Sequence, residues 1–304
     1  MIATKILDET APLEAVILGT AESLGGVPSL ENTYDPKSRE HVLDGTFPLE
    51  ADLILEMDEV EKVLIKYGVE VYRPSLIADY NQVFARDIAI VLGDKMIVPP
   101  VTEMRRKEVE GIQYIVDEVD EVLYPADHER MEGGDVMPWK EYLFVGYSGE
   151  ADFEEYQVAR TNEAGVGFLR RNFPECKLRA FELKKSDEVA RDNALHLDCC
   201  FQPVGEDKVV VYEGGFKNTE DIDFIINFFG EKNVFKIDQE EMYNMNSNFF
   251  SISPKVVISE KSFTRLNDQF KKWGLSVEEV NYNETAKMEG LLRCSTMPLR
   301  RTYE

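Results

Sequence analysis

The sequence predicts an α/β fold, a closed ring of five ββαβ units, and three observations carry that prediction. Segments of strand character alternate with segments of helical spacing along the whole chain. A module of hairpin, helix and strand recurs about every fifty to sixty residues, which is the signature of a repeat architecture. The first unit lacks a hairpin partner and the last strand, Leu291 to Met297, lacks a module, so joining them completes a fifth repeat. Closure leaves few open sheet edges and gathers the starts of the inner strands around one axis.

The elements follow in chain order. Glu14 to Gly19 is an apolar run read as a strand. Thr20 to Pro48, with Gly25-Gly26 and Asp35-Pro36, reads as a long loop, and loops of that length are often functional. Leu53, Met57, Val60, Val63 and Leu64 then mark a helix from Glu50 to Tyr67, closed by Gly68 and followed by a strand through Tyr72. The first hairpin joins Phe84 to Leu92 with Lys95 to Val98, ahead of a helix from Glu103 to Asp117 and a strand from Glu121 to Tyr124. The second joins Asp135 to Pro138 with Tyr142 to Gly146, ahead of a helix through Gln157 to Arg171 and a strand from Leu178 to Leu183. The third joins His196 to Pro203 with Lys208 to Tyr212, and a helix from Thr219 to Phe229 follows. The fourth joins Phe249 to Ser251 with Val256 to Ser259, ahead of a helix through Phe263 to Trp273 and a strand from Ser276 to Val280.

No linker rich in Pro, Gly or Ser interrupts the 304 residues, so the expectation is one catalytic domain spanning the chain. The 58 acidic and 34 basic residues leave a formal charge of −24, which argues against a nucleic-acid or anionic-membrane partner; it reads as surface solvation, or, given a specific acidic site, as attraction for a small cationic substrate. Cys176, Cys199, Cys200 and Cys294 have neither zinc spacing nor the density of a disulfide scaffold. Nothing near Met1 has the layout of a signal peptide and no apolar run is long enough to span a membrane, so a cytoplasmic location is expected. The oligomeric state stays open, a homo-oligomer included.

Cys294 stands between Arg293 and the Ser295-Thr296 pair, a basic and small polar setting that favours thiolate and access. Of the three histidines, His41 and His128 lie in polar loop-like sequence. His196 begins an apolar run two residues before Asp198, and strand alternation would point both side chains to one face. A core histidine satisfied by Asp198 would look the same. Glu132-Gly-Gly-Asp135 is a plain turn or a carboxylate-bearing site, and Asp87 beside Arg86 is half of an ion pair or a substrate ligand. Several carboxylates with one histidine and one cysteine, and no further histidines for a metal, suit a planar cation. Carboxylates grip a guanidinium through paired charge-assisted hydrogen bonds, and a thiolate can then attack its carbon with no cofactor.

The arrangement resembles the guanidino-group-modifying superfamily, the five-bladed α/β propellers or penteins that include arginine deiminase, dimethylargininase and the amidinotransferases. Asn81 to Asp87 is similar to the first aspartate motif of arginine deiminases, Glu132-Gly-Gly-Asp135 to their acidic motif and Arg160-Thr161 to their substrate-carboxylate arginine. His196-Leu-Asp198 resembles their histidine motif and Arg293 to Leu299 their nucleophile motif. The resemblance implies Cys294 as nucleophile, Glu132 and His196 as proton handlers, and Asp87 and Asp198 as the guanidinium clamp. It also implies a carboxylate contact from Arg160 with Arg105 or Arg106, and places Asn81, Asp135, Glu289 and Arg293 in or beside the substrate pocket.

Two departures are informative. There is no room between Pro48 and Asn81 for the helical-bundle insertion of arginine deiminases, and Glu289 stands where they carry an arginine five residues before the nucleophile. The implied activity is hydrolysis of arginine-like guanidines through an amidino-cysteine. The alternatives are amidino transfer to an amine and a silent propeller that binds a partner.

Overall fold

Five three-stranded sheets make up an α/β propeller, as the repeat predicts. The computed structural model describes residues 1–303. The closing sheet contains β1 (Leu13–Leu18) and β2 (Glu70–Tyr72). The next sheets are β3 (Ile90–Leu92), β4 (Lys95–Ile97) and β5 (Val122–Leu123), then β6 (Val136–Trp139), β7 (Tyr142–Tyr147) and β8 (Lys177–Glu182). They are followed by β9 (Phe201–Val204), β10 (Lys208–Val211) and β11 (Val234–Lys236), then β12 (Phe250–Ser253), β13 (Val256–Glu260) and β14 (Ser276–Val280). The last strand, β15 (Thr296–Arg301), returns to pair antiparallel with β1, so the two ends of the chain close the ring in one sheet.

Each sheet is an antiparallel pair with a third strand parallel to its middle one. A parallel neighbour requires a crossover, and the helices Glu50–Lys66, Glu108–Val116, Glu163–Asn172, Thr219–Phe229 and Thr264–Lys272 supply it. Burial falls outward across each blade. Every residue of β3, β6 and β9 is buried, whereas none of β2, β5 or β11 is. Aromatic rings fill the space between two blades, where Phe144 of β7 meets Phe201 of β9 edge-on at 5.3 Å and Phe228 at 5.7 Å.

Several boundaries differ from the expectation, for one physical reason. The runs at Phe84, Asp135, His196 and Leu291 do not open as strands. Tight turns come first, at Gly133–Asp135, Leu197–Cys199 and Leu292–Ser295, and β3, β6, β9 and β15 begin only after them. These turns lie buried at the ring centre, so their apolar composition reports burial and not strand geometry. The alternation argument for His196 and Asp198 therefore fails, because both belong to a turn.

Elsewhere the segment Gly149 to Ala159 contains a short helix, Glu150–Glu155, and the following helix starts at Glu163 because the Asn162 side chain caps Gly165 N. β11 has no counterpart in the sequence expectation. The long loop encloses a helix, Pro36–Leu43, opened by the Asp35 cap on Ser38 N and by Pro36 at its first position. Among the described residues no helix is long and apolar enough to cross a membrane.

Candidate active site

The turns preceding the inner strands carry the reactive groups, one set per blade. Asp87 lies ahead of β3, Glu132 and Asp135 ahead of β6, His196 and Asp198 ahead of β9, and Cys294 ahead of β15. Asn248, ahead of β12, completes the series and was missed in the sequence reading; its place before the fourth inner strand was the signal that could have found it. The turns fit closely. A Cβ on Gly133 would stand 2.0 Å from the Arg86 carbonyl oxygen, and one on Gly134 would stand 2.7 Å from the His196 ring. Close approach, and not a positive φ, therefore requires glycine at both positions.

Cys294 is 2% exposed. Asn248 holds it from two directions, accepting from Cys294 N at 3.1 Å and donating from Nδ2 to Sγ at 3.2 Å. The sulfur lies 3.7 Å from Asp198 Oδ2 and 3.9 Å from Oδ1. Burial, with Asp198 and Asp87 close by, pushes the thiol well above its ordinary range. This corrects the expectation that Arg293, Ser295 and Thr296 favour thiolate and access. The Arg293 guanidinium is fully buried, donating to Asp198 Oδ2 at 2.8 Å and to Glu9 at 3.0 and 3.2 Å. Ser295 and Thr296 donate to the Leu291 and Leu292 carbonyls of their own turn. Arg293 thus orients Asp198 from behind and does not face a substrate.

His196 Nε2 lies 3.0 Å from Glu132 Oε2, and its buried Nδ1, 3.8 Å from Asp87 Oδ1, has no hydrogen-bond partner among the described residues. Burial opposes charge on this ring, yet Asp87, Glu132 and Asp135 raise it to about 9. Burial likewise opposes charge on Glu132, but Arg160, His196 and Arg105 hold its carboxyl well below the usual range. The pair therefore stands as imidazolium and carboxylate. Asp87 accepts Gly134 N at 3.0 Å on Oδ1 and Arg105 Nη1 at 2.6 Å on Oδ2.

Arg105 spends its donors inside the protein, on Glu108 twice at 2.8 Å, on the Phe84 carbonyl at 2.8 Å and on Asp87. Four of its five N–H groups are so engaged, and the remaining Nη1 hydrogen lies on the Glu132 side of the chamber at 3.5 Å, so no paired donors are left to grip a substrate carboxylate. Arg106 is exposed and pairs with Glu103 at 3.3 Å, away from the site. Asn81 accepts Val83 N at 3.0 Å within its own loop and reaches only an outer cavity. Asp135 accepts Leu197 N at 2.9 Å, supporting the His196 turn rather than facing the chamber. Arg160 does line the chamber, with Nη2 on the Tyr34 carbonyl at 2.9 Å, Nη1 at 3.6 Å from Glu132 Oε1, and Nε unpartnered. Asp87, Glu132 and His196 also have the donor set and mutual spacing of a metal site, but Arg105 Nη1 already supplies positive charge to both carboxylates, 3.5 Å from Glu132.

A family model described as N,N-dimethylarginine dimethylhydrolase, eukaryotic, matches residues 48–301. The chain belongs to this family. With it, the chain is a guanidino-group-modifying pentein. Among curated proteins it is 27% identical over 222 residues to the uncharacterized protein YkgA of Bacillus subtilis, covering 73% of this chain and 70% of that one. It is 24% identical over 263 residues to the arginine deiminase of Latilactobacillus sakei, covering 73% of this chain and 61% of that enzyme's length. An amidinotransferase of the saxitoxin biosynthetic pathway from Microseira wollei superposes with a TM-score of 0.76 at 16% identity, covering 99% and 98% of the two chains. The inosamine-phosphate amidinotransferase of Streptomyces griseus superposes at 0.75 and 17%, covering 100% and 98%.

In this dimethylargininase-family chain, most of the segment from Thr20 to Pro48 lies outside the matched span, and it roofs the site. Tyr34 and Asp35 line the chamber opposite Cys294 and His196. About 10 Å³ stays free inside, whereas a neighbouring cavity of about 370 Å³ opens on the other side of the segment, sharing Tyr34, Asp35 and Met288. Glu289 is buried in the chamber wall with φ +58, accepting Asn193 Nδ2 at 2.6 Å and Lys37 N at 3.3 Å.

Proposed function

We propose that the chain, as a single catalytic propeller, is a cysteine hydrolase of arginine-like guanidines working through a covalent amidino-cysteine. The observation that carries this reading is the convergence of Cys294, His196, Glu132 and Asp87 on one buried chamber from four different blades. Burial raises the thiol most, and Asp198 and Asp87 add to it because their charge repels a thiolate. A guanidinium bound against those carboxylates offsets that repulsion, so the substrate cation itself favours ionisation of the sulfur, whose proton leaves to solvent as the substrate enters.

The thiolate then attacks the guanidinium carbon. The departing nitrogen takes the proton of imidazolium His196, the C–N bond breaks, and an amidino group remains on sulfur. Neutral His196 next accepts a proton from water, the resulting hydroxide attacks the same carbon, and cleavage of the C–S bond returns the thiolate and leaves a ureido product. Glu132, held ionised, orients the ring and stabilises its charge. The free volume of the closed chamber is that of about one water, so substrate enters only when the Thr20 to Pro48 segment moves aside.

Mass spectrometry after mixing with L-arginine, dimethylarginine and agmatine tests the reading. An amidino adduct on Cys294 with release of ammonia or an alkylamine is expected; turnover with no adduct on that residue refutes the covalent route. Amidino transfer is the second reading, favoured by the outer cavity beside the chamber, which has room for an amine acceptor. An amidinated amine formed at the expense of the ureido product selects it.

A further inference from the structure

Five residues before the nucleophile, Glu289 occupies the left-handed region that side chains rarely adopt, and this turns its carboxyl into the chamber instead of to solvent. There it shares the chamber wall with Asp35 of the covering segment, and the first turn of helix Pro36–Leu43 joins them, with Lys37 N on the Glu289 carboxyl and Ser38 N on the Asp35 carboxyl. Burial raises both carboxyls, and two carboxyls so enclosed favour holding one proton between them. Among the described residues no cation bonds the pair directly, although Arg160 acts on Asp35 and the Lys37 ammonium on both carboxyls through charge. Asn193 and Lys37 N donate to Glu289, and Ser38 N donates to Asp35. The Lys37 ammonium, lowered by burial to about 8, turns away to the Tyr243 carbonyl and lies 4.4 Å from the centre of its ring. Arg160 and His196, lining the same chamber, keep the enclosed donors Nε and Nδ1 unpartnered among the described residues, so the chamber holds buried polar groups that a ligand or a water would satisfy.

We propose that the Asp35–Glu289 pair receives the ammonium group at the far end of a guanidine substrate, making the amine the required handle and a carboxylate dispensable. The inference rests on the guanidine reading above and names its substrate class. The exchange is balanced in charge. The ammonium donates to both carboxylates, the shared proton leaves to solvent, and the net charge of the buried pair with its cation is unchanged. On the carboxylate side Arg160 has the unpartnered donor, since Arg105 gives four of its five N–H groups to Glu108, Asp87 and the Phe84 carbonyl.

Three probes separate the outcomes: agmatine, which has the ammonium and no carboxylate; pentylguanidine, in which a methyl replaces the ammonium; and L-arginine. The kcat/KM of agmatine should exceed that of pentylguanidine by about 10- to 100-fold, the range expected of hydrogen bonds to charged groups, with arginine close to agmatine. Glu289→Gln, an isostere of the protonated acid, should collapse that ratio. Asp35→Asn, which keeps the cap on Ser38, should do the same. Calorimetry of Cys294→Ala in buffers of different ionisation enthalpy should show about one proton released on binding agmatine and none with pentylguanidine. Equal ratios in wild type and variants, or binding of both guanidines without proton release, overturns the ammonium receptor while leaving the guanidine reading standing. Failure of every guanidine to bind overturns both.

Discussion

The buried turns at the blade edges and the segment that covers them divide the work of the site. Each turn is locked by contacts that leave no slack. Gly134 N holds Asp87, Asn248 holds Cys294 at both nitrogen and sulfur, and Asp135 holds the turn carrying His196. The covering segment meets the chamber through few groups, the Tyr34 carbonyl on Arg160, the Lys37 amide on Glu289 and the Asp35 carboxyl. Rigid, mutually braced groups suit bond making, and a segment that touches the chamber at few points, while tied to the fold elsewhere through Ser23, Leu24, Lys37 and Glu40, suits recognition. Substitutions in the turns should therefore act on kcat, and those in the segment on KM and on choice of substrate.

The largest effect should come from Cys294→Ala, with turnover falling by at least about 10³-fold while a guanidine still binds. Substantial residual turnover would remove the sulfur from the chemistry. Asp87→Asn comes next, because it keeps size and removes one charge from a desolvated pair. A loss of about 2–5 kcal/mol in kcat/KM is expected for every guanidine tested, read from steady-state kinetics. A loss confined to one substrate would move Asp87 to the recognition side of the comparison.

Gly134→Ala probes the bracing itself, since the new Cβ must displace the His196 ring. Overpacking of this kind costs about 1–3 kcal/mol, and kcat should fall more than KM rises. The reverse pattern would show that the turns tolerate movement. Asp35→Ala removes a helix cap worth about 1 kcal/mol along with its carboxyl, and KM should rise while kcat stays within a few-fold of wild type. A collapse of kcat would merge the two regions into one functional unit.

The smallest effect is on stability with pH. His196 is raised in the folded state from an ordinary 6.5 to about 9, so its contribution is present in full below pH 6.5 and is lost as pH rises through about 9. The Tm should decline across that window in the wild type, and His196→Asn should flatten the decline.

Much of the fold was legible because ring closure is written in the repeat. The hairpin–helix–strand module depends on local periodicity, and the orphan strands at the two ends could pair only with each other, as β1 and β15 do. Chemical identity was legible too: Cys294, His196, Glu132 and Asp87 stand out as residue types that an apolar core does not require. Helix Pro36–Leu43 had its cap and proline in view, but apolar spacing, the usual helix signal, is weak there because the helix packs over a polar chamber.

Only tertiary structure decided what each charge faces. Arg105 and Arg106 are neighbours of one type, yet one is locked among Asp87, Glu108 and Glu132 and the other lies in solvent. Arg293 beside the nucleophile bonds Asp198 and Glu9 on the far side, so the thiol is raised where the sequence suggested it would fall. Asn248 and the Asp35–Glu289 contact join residues 46 and more than 250 positions apart. Sequence records the kinds of groups and their order. The direction and strength of an electrostatic interaction depend on distance and burial, which exist only once the blades have closed.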